Sequence, residues 1–218
     1  SKTAFCDEII SLDAFRHWFE DSYRPDLLHL VAETQGEKIK IKAHLIECKI
    51  VSTSEAHLEK AHEQLDIGLR RLIKFFCPRK PSDSAKDYPP DQRYWWLQLH
   101  RLIASRSIIP KTEREKILSQ LEKLADGYFD LHWKASAFII WIDNNSSEIQ
   151  FARSWPFDFD GLTLDINVLF SGSGLIGKLC HEKDILSLPE TKSINLSHKE
   201  LLNQDKISHI ITYKSTSI

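Results

Sequence analysis

The chain has 218 residues, 42% of them apolar and 28% charged, with 7 glycines and 8 prolines, a composition that buries a core and excludes a disordered or fibrous polypeptide. That length suits one large domain or a compact core carrying an accessory lobe. The net charge of -2 announces neither a nucleic-acid nor a membrane partner, so any such partner must be met by a local patch.

Cys6, Cys48, Cys77 and Cys180 are scattered, without a CxxC pair, which predicts reduced thiols in a cytoplasmic protein rather than a disulfide framework or a zinc knuckle. No apolar run approaches the ~18 to 20 residues of a membrane-spanning helix, and SKTAFCDEII lacks the regions of a signal peptide. A chain without methionine that begins at Ser1 fits a module excised from a longer polypeptide, and fits removal of an initiator methionine equally well.

In chain order, SLDAFRHWFEDSY offers Ser11 or Asp13 as an N-cap and then Phe15, Trp18 and Phe19 at helical spacing, predicting a first helix. Pro25 stops it. DLLHLVAE reads as a strand, TQGEK as a turn with Gly36, and KIKIKAHLIECKIV as a longer strand, together a β-hairpin. From Ser54 to Phe76, Leu58, Ala61, Leu65, Leu69, Leu72 and Phe76 recur in steps of three and four and predict an amphipathic helix. CPRKPSDSAKDYPPD holds four of the eight prolines and reads as a linker. Two helices follow, in DQRYWWLQLHRLIASRS and TEREKILSQLEKLADG. Then come strands in YFDLHWKASAFIIWID, EIQFARSW and TLDINVLF, a helix in LSHKELLNQDK and a last strand in ISHIITYK. The expected organisation is a core over residues 1–77, a linker over 78–91, and a helical then β-rich accessory lobe over 92–218 that completes or flanks the core.

The chemistry concentrates in the hairpin. Residues two apart in a strand share a side, so Glu47 and Lys49 project together, and Ile46, Cys48 and Ile50 are expected to point the other way into apolar packing. Asp26 stands at the start of the preceding strand, and pairing 26 with 47 centres the hairpin between residues 36 and 37, at the turn signal. Two carboxylates there form a hard oxygen site suited to Mg²⁺, and Lys49 beside them supplies a point charge able to orient water or stabilise a developing phosphate charge. A helix stop at Pro25-Asp26 and a solvated strand face at Glu47 and Lys49 account for the same residues without a site.

The arrangement Pro25-Asp26, then Glu47-Cys48-Lys49, followed by a helix carrying Gln64, resembles the PD-(D/E)xK nuclease superfamily. That family's core is a helix, a mixed sheet whose central strands carry the motif, and a helix after the second motif; residues 11–76 match that order. The resemblance implies an α/β, restriction-endonuclease-like core with a C-terminal α+β lobe, and Mg²⁺-dependent hydrolysis of DNA phosphodiesters, with Mn²⁺ as a substitute. Asp26 and Glu47 would ligate the metal together with the Cys48 carbonyl, Lys49 would position water, and Gln64 would hold the water or the phosphate. The acidic residue that the family often places on its first helix has no compelling match in Glu8 or Glu20. Expected settings are bacterial restriction, phage defence or DNA repair, with a DNA-translocating ATPase or a second copy of the chain as partner and no membrane. The alternative is a non-catalytic DNA-binding or assembly module that keeps the nuclease fold.

Other signals rank lower. GSGLIGK lacks the hydroxyl residue that a phosphate-binding loop needs after its lysine, since Leu179 stands there, and reads as a flexible glycine loop. His57 and His62 lie roughly 140° apart around a helix and do not form a metal pair. Arg93, Arg101 and Arg106, interleaved with Tyr94, Trp95 and Trp96, either hold DNA phosphates or line the wet side of a helix whose tryptophans fill the core. Arg79, Lys80 and Lys86 in the linker touch DNA or stay hydrated. FDFDGLTLD lacks the full calcium-loop pattern and reads as a turn before a strand.

Overall fold

The computed structural model describes residues 4–19, 23–80 and 88–181. It contains strands β1 (Ala4–Ser11), β2 (Leu27–Gln35), β3 (Lys38–Val51), β4 (Phe129–Trp141), β5 (Gln150–Phe159) and β6 (Leu162–Gly172). The α-helices are α1 (Glu55–Phe75), α2 (Gln92–Ala104), α3 (Arg114–Ala125) and α4 (Gly174–His181), with short 3-10 helices at Leu12–Trp18 and Lys111–Glu113. The strands form one sheet in the order β1-β2-β3-β4-β6-β5. β1, β2 and β3 are an antiparallel meander. Beside β3, Lys38 faces Asp130, His44 faces Ser136, and Val51 accepts from Ile142. These numbers rise together, so β3 and β4 run parallel and the sheet is mixed. The protein is therefore of the α/β class, and among the described residues no helix is long and apolar enough to cross a membrane.

Two compact units share these elements: the first takes residues within 1–47, 62–136 and 156–166, the second those within 48–61, 137–155 and from 167 onward. In the first unit the core face of β3 is its odd-numbered side, Ile39, Ile41, Ala43 and Leu45, none more than 1% exposed. The alternation of lysine with isoleucine in KIKIK sets that parity, because a strand presents successive side chains to opposite faces. The α1 stripe foreseen from its spacing is buried throughout, from Leu58 to Phe76. Around its C-terminal end, Trp18 packs edge-on against Phe76 at 5.4 Å, and Trp95 stacks flat on Phe75 at 3.6 Å.

α1 approaches the hairpin closely at one point. A Cβ on Gly68 would stand 2.5 Å from Pro25 Cγ and 2.7 Å from Pro25 Cδ, inside contact distance of a stiff ring. Glycine therefore lets the helix backbone rest on the proline that precedes β2.

Three expectations are corrected here. A strand, β1, precedes the first helix; a register shift between Ala4 and Cys6 places Phe5 and Cys6 both inside and breaks the two-residue alternation there, which hides the strand in the sequence. The first helix is a 3-10 helix of seven residues, capped by Ser11 Oγ accepting from the Asp13 amide at 3.3 Å, with Phe15 at non-helical dihedrals. GSGLIGK is no flexible loop: it ends β6 and opens α4, within the second unit. Two of its glycines answer packing, since a Cβ on Gly172 or Gly174 would meet the carbonyl oxygen of Asn144 or Asn145 at 2.3 Å. The acidic run FDFDGLTLD becomes the tip of a hairpin, with the two-residue turn Asp160-Gly161 between β5 and β6. The helix expected in LSHKELLNQDK and the strand in ISHIITYK lie outside the described residues.

All four cysteines are free thiols, Cys6 buried and Cys180 exposed. Burial, reinforced by the nearby Glu8 and Asp7 carboxylates, pushes the Cys6 thiol from 9.0 up to about 11. A raised pKa leaves less thiolate at any pH below it, and the thiolate is the nucleophile. With iodoacetamide at about pH 8, Cys180 should therefore be alkylated first and Cys6 last on peptide mapping; early modification of Cys6 would contradict its placement. Gly68→Ala should lower stability by about 1–3 kcal/mol in urea unfolding, and Pro25→Ala should recover part of that loss in the double variant.

Candidate active site

The β2–β3 ladder pairs Gln35 with Lys38 at the turn and Leu27 with Ile46 at its far end. One further step in the same register sets Asp26 across from Glu47. The Asp26 backbone is tied on its other side, where its carbonyl accepts from the Leu12 amide at 2.9 Å. Asp26 is half-buried, and Glu47 is completely buried, at 0% exposure.

The faces of β3 are the reverse of the expected ones. Glu47 continues the inward series of Ile39, Ile41, Ala43 and Leu45, whereas Ile46 and Cys48 are only half-buried and Ile50 is 60% exposed. The parity is fixed by the four apolar residues before Glu47, which outweigh the two isoleucines that flank the motif. A carboxylate thus stands where the core pattern calls for another aliphatic side chain. Removing such a group from water is costly unless cations or hydrogen-bond donors compensate it, so the position is reserved for chemistry or for a specific polar contact.

Lys49 follows on the same side of β3 by strand alternation and is half-buried. β3 passes from the first unit to the second after Glu47. Gln64, buried on α1, donates through Nε2 to the Arg24 carbonyl at 3.0 Å, while its Oε1 has no hydrogen-bond partner among the described residues. Gly68 lies one turn further along and touches Pro25. α1 therefore grips Tyr23, Arg24 and Pro25, the residues that lead into Asp26, and Arg24 is held again by an ion pair with Asp13. Gln64 reaches the backbone that positions the carboxylate.

Glu8 lies on β1 opposite Leu30, four positions along β2 from Asp26, and Glu20 is outside the described residues. His57 and His62 are half-buried on α1. Among the described residues no group of three or more His, Cys, Asp or Glu side chains converges as a metal site. The expected donor set is smaller: two carboxylates and a backbone carbonyl. All of its donors are oxygens, and Mg²⁺ retains water in its remaining positions, so the set fits that ion.

The helix after the linker divides its side chains between core and surface. Trp96 is buried and donates through Nε1 to the Cys77 carbonyl at 2.9 Å, while Trp95 covers Phe75. Arg93 and Arg101 are exposed, Arg93 lying 3.7 Å from Asp126, and Arg106 donates to the Ser105 hydroxyl at 3.1 Å beyond the helix end. Arg79 lies over the Tyr128 ring at 5.2 Å, and Lys80 is exposed; Lys86 lies outside the described residues.

Two groups of cations escaped the sequence reading. On the even face of β3, Lys40 and Lys42 run alongside His132 and Lys134 of β4. Burial first, then the nearby lysines, lowers the pKa of His132 and of Lys134. On α1, Arg70, Arg71 and Lys74 gather on the side away from the apolar stripe. Their signal, cations at steps of one and three within a helix, was present in the sequence but is common on solvated helix faces.

No family model, no curated protein and no solved structure matches this chain.

Gln64→Leu removes the donor to the Arg24 carbonyl and leaves that carbonyl without its side-chain partner. It should cost about 1–3 kcal/mol in denaturant unfolding. An unchanged midpoint would mean that the contact holds nothing.

Proposed function

We propose that this protein is a Mg²⁺-dependent deoxyribonuclease of the PD-(D/E)xK type, hydrolysing DNA phosphodiester bonds at the far end of the β2–β3 hairpin. The observation that carries this reading is the register: it sets Asp26 across from a Glu47 that is buried on the core side of β3. The mixed sheet supports it, as do the motif's place on the inner strands β2 and β3 and the amphipathic helix that follows β3. The short 3-10 helix where the family has its first helix departs from the pattern.

In this reading Asp26, Glu47 and the Cys48 carbonyl would hold the metal, which would supply Lewis-acid chemistry to the scissile phosphate and to water. Lys49 orients the attacking water and balances charge that develops on the phosphate. Burial of Glu47 removes competing solvent, so each electrostatic contact with it counts for more than it would at the surface. Gln64 acts as a positioning residue through Arg24, keeping Asp26 in register with Glu47. Its unsatisfied Oε1 is available to a water or to a protonated group brought in with the substrate.

Linear and circular DNA incubated with Mg²⁺ or Mn²⁺ should be cut by the wild type. Asp26→Ala, Glu47→Ala and Lys49→Ala should each cut at least about 100-fold more slowly. Variants that retain wild-type rates would leave the hairpin without a catalytic role, and wild-type protein that is inert with either metal would overturn the hydrolase reading.

A further inference from the structure

The C-terminal half of α1 carries a stripe that belongs neither to the core nor to the Asp26–Glu47 pair. Ile67, Arg70, Arg71 and Lys74 recur at i, i+3, i+4 and i+7, and with Phe75 they line a cleft of about 350 Å³ within the first unit. Each cation is held against an aromatic ring. The Arg70 guanidinium lies 5.1 Å from the ring centres of both Phe157 and Phe159, Arg71 lies 5.4 Å from Phe75, and the Lys74 ammonium lies 5.4 Å from Phe159. The face of an aromatic ring attracts a cation without neutralising it, so the rings pre-orient these groups.

The three differ in what else they meet. Arg70 is bound in bidentate fashion by Asp66, at 2.7 and 2.9 Å, which together with the weaker pull of Asp158 raises its pKa. Its role is to fix the wall formed by Phe157 and Phe159. Lys74 is exposed and has no ion pair within 4 Å among the described residues. Arg71 sits seven residues beyond Gln64, two helical turns and ~10.5 Å along the axis at nearly the same bearing. The cleft therefore begins about two turns from the residue that holds the approach to Asp26.

We infer that this cleft binds the sugar–phosphate backbone of a single nucleic-acid strand, Arg71 and Lys74 contacting its phosphates, and so guides the strand along α1 toward Asp26. The inference rests on the nuclease reading for its direction, and on the cleft alone for binding. Cations mounted on rings are the combination that grips a strand without reading its sequence, by charge on the phosphates and by stacking of bases on rings or guanidinium planes. The cleft's volume is of the order that one nucleotide unit fills.

The test is binding of a fluorescein-labelled oligothymidylate in EDTA, followed by anisotropy across a salt series, for wild type, Lys74→Gln, Arg71→Gln and the double variant. Glu47→Gln serves as the control for the candidate active site. Each lost phosphate contact should reduce the slope of log K against log salt by ~0.7 and weaken binding about fivefold at 0.1 M salt. Because Lys74 is exposed, Lys74→Gln leaves the fold intact and is decisive on its own. Slopes that stay at the wild-type value overturn the inference, as does a duplex that competes as well as the single strand, or inorganic phosphate that competes at equal phosphate concentration. Salt slopes that follow the cleft variants, in a protein that cuts nothing with Mg²⁺, would keep the cleft and remove the hydrolase. Cutting that depends on Glu47 while the slopes stay fixed would do the reverse.

Discussion

Strand parity is the constraint from which the candidate site follows. β3 alternates lysine and isoleucine from its first residue, and that alternation forces the odd positions inward. Once Ile39, Ile41, Ala43 and Leu45 are committed to the core, Glu47 is carried inside with them and Lys49 follows on the same side. A slip of one residue in the pairing with β2 would exchange the faces, exposing four apolar side chains and turning Glu47 to water. The aliphatic burial that stabilises the sheet therefore also maintains a carboxylate in a position it would not choose by itself.

The helix α1 secures the other half of that pairing. Its inward stripe supplies hydrophobic area, but the contacts that concern the site are the Gln64 amide on Arg24 and the bare backbone of Gly68 on Pro25. Both act on the residues before Asp26, where the ladder with β3 has ended and the chain would otherwise be free to splay. Leu12, the first residue of the 3-10 helix after β1, holds the same point through the Asp26 carbonyl. A carboxylate at a strand end is thereby fixed by backbone contacts on two sides. Preorganisation of this kind is what a metal-dependent hydrolysis requires, because a misplaced ligand forfeits much of the stabilisation of the transition state.

Charge is distributed with similar economy of elements. The overall balance is near neutral, yet cations collect along the outer side of α1 and on the even face of β3, where burial and then the neighbouring lysines lower the pKa of His132 and Lys134. On α1 the rings of Phe75, Phe157 and Phe159 hold the cations in place. Global net charge could not have revealed either group, since each is local and offset by acids elsewhere on the chain.

Much was legible in the residues alone. The hairpin and its centre between 36 and 37 follow from the turn at Gly36 and the lengths of the two apolar runs, because an antiparallel register is determined by where the turn sits. α1, α2, α3 and β4 to β6 were visible as periodicity. The strand β1 was not, because a bulge near Cys6 breaks the two-residue period by which a strand is recognised. Nor was the true role of Gly172 and Gly174, since a glycine required by a close backbone crossing looks in sequence like one required by a turn. The side of β3 on which Glu47 lies was written in the KIKIK alternation, although the isoleucines flanking the motif suggested the opposite. Sequence by itself determined which residues could pair, through local spacing. Tertiary structure decided that Glu47 is buried, that α1 rests on Pro25, and that rings from a distant hairpin meet the cations of α1, because each depends on contacts between segments whose separation along the chain carries no periodic signal.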